Sequence, residues 1–396
     1  MIYWVWLAER LGYGSDKLTP LLNKFGTAEA IYKADPINYA RELSLDEKTV
    51  NSLSKKSLKR SENIIALCKE NGINILAYGD ERYPTLLRNI PSPPAVLYYK
   101  GKLPELNKLP SISIVGTRKA DEYSLKVSWS LSARLSLANF VVISGGALGI
   151  DSAAHRGAID TNGITVALLA CGINYPYLKS NEELRNKITE KGCLISEFPP
   201  NYPLKRYAFH LRNRLISGLS LGTVIIEAGE NSGALITARN ANEQGRDVFV
   251  ITGKPDDTKY AGSYALLKDG AIPVFKAGDI ISEYLHAFGN IIDITKSEEF
   301  DLKSLYRNKY LAKYKKDTDT KAAVKVDSEK IILENINLTL SKNAEIVYNS
   351  INIEFFTIDD LGDTGLSVGD IFSAVTELEL SGLVRAVPGG RYSKTK

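Results

Sequence analysis

Cysteine and histidine are scarce, and several enzyme signatures are missing. Cys68, Cys171 and Cys193 are the three cysteines in 396 residues. Widely separated, odd in number and without metal-ligand spacing, they fit reduced thiols in a cytosol rather than a disulfide framework or a zinc site. The histidines are His155, His210 and His286. No G-x-S-x-G elbow accompanies them, so no nucleophile–base pair is legible. A phosphate loop of the ATPase type, G-x-x-x-x-G-K-[ST], is absent, which argues against ATP hydrolysis by this chain alone. Gly145-Gly146-Ala147-Leu148-Gly149 has the wrong spacing for the G-x-G-x-x-G dinucleotide fingerprint. Long apolar runs are missing as well. Ile2 to Ala8 is too short to span a bilayer, lacks a basic flank before it and runs straight into Glu9 and Arg10. The expectation is a cytoplasmic protein with no membrane segment, no cofactor, no metal site and no enzymatic activity.

A local lack is more telling. From Asn201 to Ser220 there is no acidic residue, although the whole chain carries a formal charge of only +4. Lys205, Arg206, Arg212 and Arg214 fall in that stretch, interleaved with Tyr207, Phe209 and His210. Cations for phosphates beside rings for bases describe a surface for single-stranded nucleic acid. Next comes an apolar run, Thr223 to Ile226, closed by Glu227, which reads as a strand buried on both faces of a parallel sheet. The turn Gly229-Glu230-Asn231-Ser232-Gly233 and a helical stretch from Ala234 to Gln244 follow. Strand, glycine loop and helix present unpaired N–H groups and the positive end of the helix dipole to an anion. Glu227 reads as the partner of an arginine, Arg214 or Arg239, with an acid in a small-molecule pocket as the alternative.

The total of 396 residues, 44% apolar and 24% charged, suits two or three ordered domains. Residues 1–70 carry apolar positions at helical spacing and read as a small helical domain. Leu11 to Gly14 makes a degraded helix-hairpin-helix, for which a bundle without a ligand is the simpler reading. Residues 71–292 switch to short apolar runs. Ile73–Ala77 and Ala95–Tyr99, separated by proline-rich turns, read as strands that extend a sheet edge. From Ile112 onward strand and helix alternate, which implies a mostly parallel, doubly covered sheet. Its loops after strands (116–119, 144–151, 170–176 and 229–233) should converge at the carboxyl ends, where such sheets hold ligands. Asp151 and His155, four apart on one helix, read as a hydrogen bond that fixes helix against loop. Ser144 and Ser232 read as helix caps or phosphate contacts. Residues 293–340 form a charged linker, helical at its start. Residues 341–396 show three helical runs and a hairpin, a winged helix. Its third helix, with Asp370, Glu377 and Glu379 and no Lys or Arg, is too acidic to enter a DNA groove and suits protein contacts.

The ordered motifs SIVGTR, ISGGALGIDSAAHRGAI, LISEFP, FHLRNRLISGLS and VIIEAGENSGALITARNANEQGRDVFVITG, with ILAYGDERYPTLLRNIPSPPAVLYYKG upstream, resemble the DNA processing protein A (DprA/Smf) family over roughly Ile73 to Gly253. The resemblance implies an extended Rossmann-like α/β centre between a small helical N-terminal domain and a C-terminal winged helix. It also implies a homodimer that binds and protects single-stranded DNA in natural transformation and loads the RecA recombinase. Carried over by motif, the DNA-binding positions are Arg118, Arg206, Phe209, Arg212, Asn213, Arg214, Ser232, Gly233 and Thr237, the last three in a loop that also holds Leu235. The reading of charge and glycine loops adds Lys119, Lys205, Gly145 and Gly146. Thr117 stands where the family has serine, His210 where it has proline, and Thr252 where it has proline. The rival is a nucleotide-binding or nucleotide-hydrolysing enzyme of the phosphoribohydrolase type, whose P-G-G-x-G-T-x-x-E loop is not matched by ENSGALITA.

Overall fold

A computed structural model describes residues 1–177, 179–253, 256–299, 341–351, 356–380, 383–387 and 391–394. The chain divides into two compact units, Met1–Asn308 and Lys309–Lys396. In the first, five helices come ahead of the sheet: α1 (Ile2–Leu11), α2 (Leu18–Phe25), α3 (Ala28–Lys33), α4 (Glu47–Leu53) and α5 (Lys59–Glu70). They close around Trp6, Leu7, Leu21, Ile31 and Leu53, all fully buried. Then come β1 (Asn74–Ala77), α6 (Thr85–Arg88), β2 (Val96–Gly101), β3 (Ser111–Val115), α7 (Glu122–Leu137), β4 (Val141–Ser144), α8 (Ile150–Asp160), β5 (Thr165–Leu168), α9 (Glu182–Lys191), β6 (Cys193–Ser196), α10 (Arg206–Gly218), β7 (Gly222–Ile225), α11 (Gly233–Glu243), β8 (Asp247–Ile251), α12 (Ala261–Lys268), β9 (Ile272–Val274), α13 (Ala277–Phe288) and α14 (Ile294–Glu299).

The strands form one sheet in the order β1-β2-β6-β5-β4-β3-β7-β8-β9. From β6 to β9 every pairing is parallel, while β1 and β2 extend the sheet antiparallel. This is the edge extension expected of 73–99. Alternate residues face opposite layers, as strand geometry requires. Ile143, Val166, Ile195 and Val250 pack with Leu215, Ile216, Ala238 and Ala241 of α10 and α11. Ile112, Ile114, Val142 and Val224 pack with α7, α8 and α13 on the other face. The serines of β3 are buried yet bonded, Ser111 to Leu219 O at 2.7 Å and Ser113 to Thr223 Oγ1 at 2.8 Å. Such satisfaction is what a polar group inside a sheet needs.

The chain runs outward from β3 through β4, β5 and β6, then returns to β7 on the other side of β3. That reversal opens a crevice at the carboxyl ends of β3 and β7. Small residues draw α8 close to α7. Ser128 and Ser132 donate to Ile150 O and Ala154 O at 3.0 and 2.5 Å, and a Cβ on Gly157 would meet Trp129 O at 2.2 Å. This close approach fixes the first turn of α8, and with it Asp151, at the crevice.

The second unit is a winged helix. It contains α15 (Lys342–Ser350), a 3-10 turn (Asp359–Thr364), α16 (Val368–Leu380) and the antiparallel pair β10 (Val384–Val387) and β11 (Arg391–Lys394). Val347, Phe356, Leu361, Ile371, Val375, Leu378 and Val384 make its core. Ser341 caps α15 and also bonds Glu377 of α16 through its N–H and hydroxyl at 2.8 and 2.6 Å. Of the expected linker, residues 300–340 lie outside the described residues, as does the hairpin tip, 388–390.

Candidate nucleic-acid interface

A cleft of about 460 Å³ lies at the crevice. Its walls are the loop after β3 (Thr117, Arg118 and Lys119), the start of α8 (Asp151), the first two turns of α10 (Arg206, Phe209, His210, Asn213) and the start of α11 (Ser232, Gly233, Thr237). Three of the four loops expected to converge do so. The loop after β5 is instead bonded to the segment before α10, Gly172 N–H to Tyr202 O and Asn174 N–H to Pro200 O, both at 2.9 Å. Beyond that loop, Tyr177 meets the Phe209 ring edge-on at 6.2 Å between centroids.

Helical periodicity sorts the basic cluster. Positions 206, 209, 210 and 213 of α10 share one face and line the cleft. Arg206 and His210 are exposed and Phe209 is half-buried. The Arg118 guanidinium lies 4.6 Å above the Phe209 ring, a cation–π contact that joins the loop after β3 to α10. Lys119 is exposed beside it, its N–H bonded to Thr117 Oγ1 at 3.2 Å. Gly149 holds this loop in place. Its φ of 77° suits glycine, and a Cβ would sit 2.4 Å from Thr117 O.

Other expected phosphate contacts are placed differently. Arg214 is 8% exposed and turned away from the cleft: it pairs with Glu197 at 2.5 Å and donates to Ser92 O. Glu197 also accepts the Gly14 N–H at 3.2 Å, so a donor of the N-terminal hairpin is used inside the protein. Arg212 is buried at the cleft floor and donates to Gly145 O and Leu168 O at 2.5 and 2.7 Å. Burial holds its pKa below the ordinary guanidinium value, with Asp151 opposing that shift. Gly145 is glycine because of this arginine, since a Cβ would overlap Arg212 Nη1 at 1.8 Å. The Gly145 N–H is bonded to Asp151 and is not a free phosphate donor. Gly146 is buried behind the floor and does not line the cleft. Lys205 is exposed one residue before α10, over the Tyr202 ring rather than in the cleft.

Asn213 bridges elements, accepting from Arg212 Nε at 3.2 Å and donating to Gly233 O at 3.3 Å. Ser232 caps α11 through Ala234 N–H at 3.3 Å, whereas Ser144 donates to Ile114 O at 2.7 Å. Glu227 has no ion pair with Arg214 or Arg239 among the described residues. It is 2% exposed and its Oε2 is unpartnered. The expected Asp151–His155 bond is also replaced. His155 Nδ1 meets Thr165 Oγ1 at 2.7 Å, its Nε2 is unpartnered, and burial drives its pKa down to about 3. Asp151 instead turns back to the loop before it. That role went unread in the sequence, although an acidic residue two positions past the last glycine of a loop was its signal.

Fold and cleft define a Rossmann-like α/β protein with cations, a ring and a helix N-terminus around one crevice. The family described as DNA recombination-mediator protein A matches residues 74–285, and the DprA winged helix domain matches 338–390. The Smf protein of Synechocystis is 30% identical over 99% of this chain and 98% of its own length. The DNA processing protein DprA of Bacillus subtilis is 35% identical over 64% of this chain and 88% of its own. The X-ray structure of DNA processing protein A from Streptococcus pneumoniae superposes with a TM-score of 0.54 and 30% identity, covering 68% of this chain and 98% of that one. The chain belongs to the DprA/Smf family. Among the described residues no helix is long and apolar enough to cross a membrane.

Proposed function

We propose that this chain binds single-stranded DNA in the cleft and, as a cytoplasmic homodimer, delivers it to the RecA recombinase during natural transformation. The observation that carries the reading is the Arg118–Phe209 pair, a cation and a ring presented together. Backbone phosphates would meet Arg118, Lys119, Arg206 and the start of α11, while an unpaired base reaches Phe209. A duplex keeps its base faces stacked and cannot offer them to a ring. No step of bond chemistry is assigned. The winged helix, with Asp370, Glu377 and Glu379 on α16, serves protein contacts in this reading. The homodimer is supported by the edge of the sheet at β9, where no further strand pairs among the described residues, directly followed by Phe275, which is 78% exposed. The test is a polarisation titration of labelled single-stranded and duplex oligonucleotides of equal length at several salt concentrations. Preference for the single strand with a steep salt slope is expected. Equal weak binding to both would end the reading and send the search to small nucleotides.

A further inference from the structure

The loop between β4 and α8 has the form of an anion nest, and the anion it holds is the protein's own. The N–H groups of Gly145 and Ala147 converge on Asp151 Oδ2 at 3.1 and 3.3 Å. Converging N–H donors ahead of a helix N-terminus are the arrangement that takes a phosphate in nucleotide-binding sheets. Asp151 stands in the first turn of α8, where the helix dipole adds to the attraction. The loop is pinned from behind. Asn181 Nδ2 donates to the carbonyls of Gly146 and Ala147, both at 3.3 Å, and Ser152 Oγ donates to Ala147 O at 2.6 Å. Gly145 O takes the Arg212 guanidinium. Carbonyls are thus held by side chains while the N–H groups stay aimed at the carboxylate. Asp151 is 6% exposed and lines the cleft floor, so the filled nest faces the ligand.

We infer that Asp151 is a specificity determinant: by filling the nest it makes the cleft select internucleotide phosphodiesters over terminal phosphates and free nucleotides. This rests on the single-strand reading above. A phosphodiester has a single negative charge and two free oxygens. Rim groups such as Arg118, Lys119 and Arg206 can hold it while the strand continues in both directions. A terminal phosphate approaches a charge of −2 and is held best where several backbone N–H donors converge on it. Here those donors are occupied, and the occupant repels it.

The test compares oligonucleotides of one sequence with and without a 5′-phosphate, by polarisation, on the parent, Asp151→Ala and Asp151→Asn. Inorganic phosphate and adenosine monophosphate are tested alongside by thermal shift. For the parent, the two oligonucleotides should bind within twofold of each other, and millimolar phosphate or nucleotide should leave Tm unchanged. Asp151→Ala empties the nest. It should favour the 5′-phosphorylated strand at least tenfold and gain Tm with phosphate. Asp151→Asn keeps an oxygen in the nest without the charge and should show a smaller gain. A parent that favours the 5′-phosphate tenfold overturns the inference, as does a folded Asp151→Ala protein with no gain. If Asp151→Ala does not fold, absence of gain in Asp151→Asn overturns it. Failure of the parent to bind either oligonucleotide would sink the single-strand reading instead, and the thermal shifts would still report on the nest.

Discussion

Two arginines from the same family motifs have opposite fates, and burial separates them. Arg118 is exposed at the cleft with its guanidinium over Phe209. Arg214 is buried against Glu197. Each phosphate that a protein cation neutralises on a single strand adds about 0.7 to the steepness of the log–log salt dependence. Arg118→Ala should therefore flatten the slope by that amount with little change in stability. Arg214→Ala should leave the slope alone and destabilise the fold by about 3–5 kcal/mol, because Glu197 is left charged without its partner. Salt-dependent polarisation and urea denaturation on both variants check this, and a reduced slope for Arg214→Ala would return that residue to the phosphate path. Residue types in this stretch were readable from sequence, but their direction was not. The face of α10 that carries 206, 209, 210 and 213 has much the same composition as the one that carries 207, 211 and 214. The partners of Arg214, Glu197 17 residues earlier in the chain and the Ser92 carbonyl, hold it inward.

At the scale of elements, strands and helices were legible because alternation and apolar runs report local geometry directly. The two strands of the β1–β2 edge and the winged helix both follow from such signals, whereas the antiparallel sense of that edge does not. The glycine loops were less legible, since glycine marks a close approach without naming what approaches. At Gly145 it is Arg212, at Gly149 it is the backbone of Thr117, and at Gly233 nothing lies within 4 Å of an added Cβ. Gly233 begins α11 and borders the cleft, so the fold itself gives no steric reason for glycine there. Gly233→Ala should raise stability by about 0.4–1 kcal/mol through the unfolded chain. If a phosphate seats on the start of α11, the new methyl obstructs it, and affinity for single-stranded DNA should fall several-fold. Unchanged affinity in a stabilised variant would remove that helix terminus from the ligand path.

Two properties belong to the whole molecule. The described residues that line the cleft belong to Met1–Asn308, and the winged helix has its own core. Deleting 341–396 should leave single-strand affinity within about twofold while abolishing capture of RecA. Loss of DNA affinity would mean that the second unit shares in the site. The other property is acid sensitivity. His155 is fully buried, and its pKa is about 3 against an ordinary value of 6.5. Because the Thr165 hydroxyl donates to Val142 O at 2.7 Å, Nδ1 carries the proton and donates to Thr165, leaving Nε2 bare. The native state thus keeps a neutral ring while the unfolded chain takes up a proton below pH 6.5. Stability from this group is complete above 6.5 and is lost as pH falls toward 3, by about 2 kcal/mol between 6.5 and 5. Asp151 works in the opposite sense, since burial raises its pKa and the native state holds that proton more tightly than the unfolded chain as acid is added. Its folded pKa lies above the ordinary 3.8, so its contribution enters as pH falls through that raised value and is complete below 3.8. It opposes the histidine's loss inside the same window. Urea midpoints at about pH 7.5 and 5, on either side of the imidazole's ordinary range, should show His155→Gln losing less stability with acid than the parent does. Equal losses would mean that the buried imidazole does not control the acid limb.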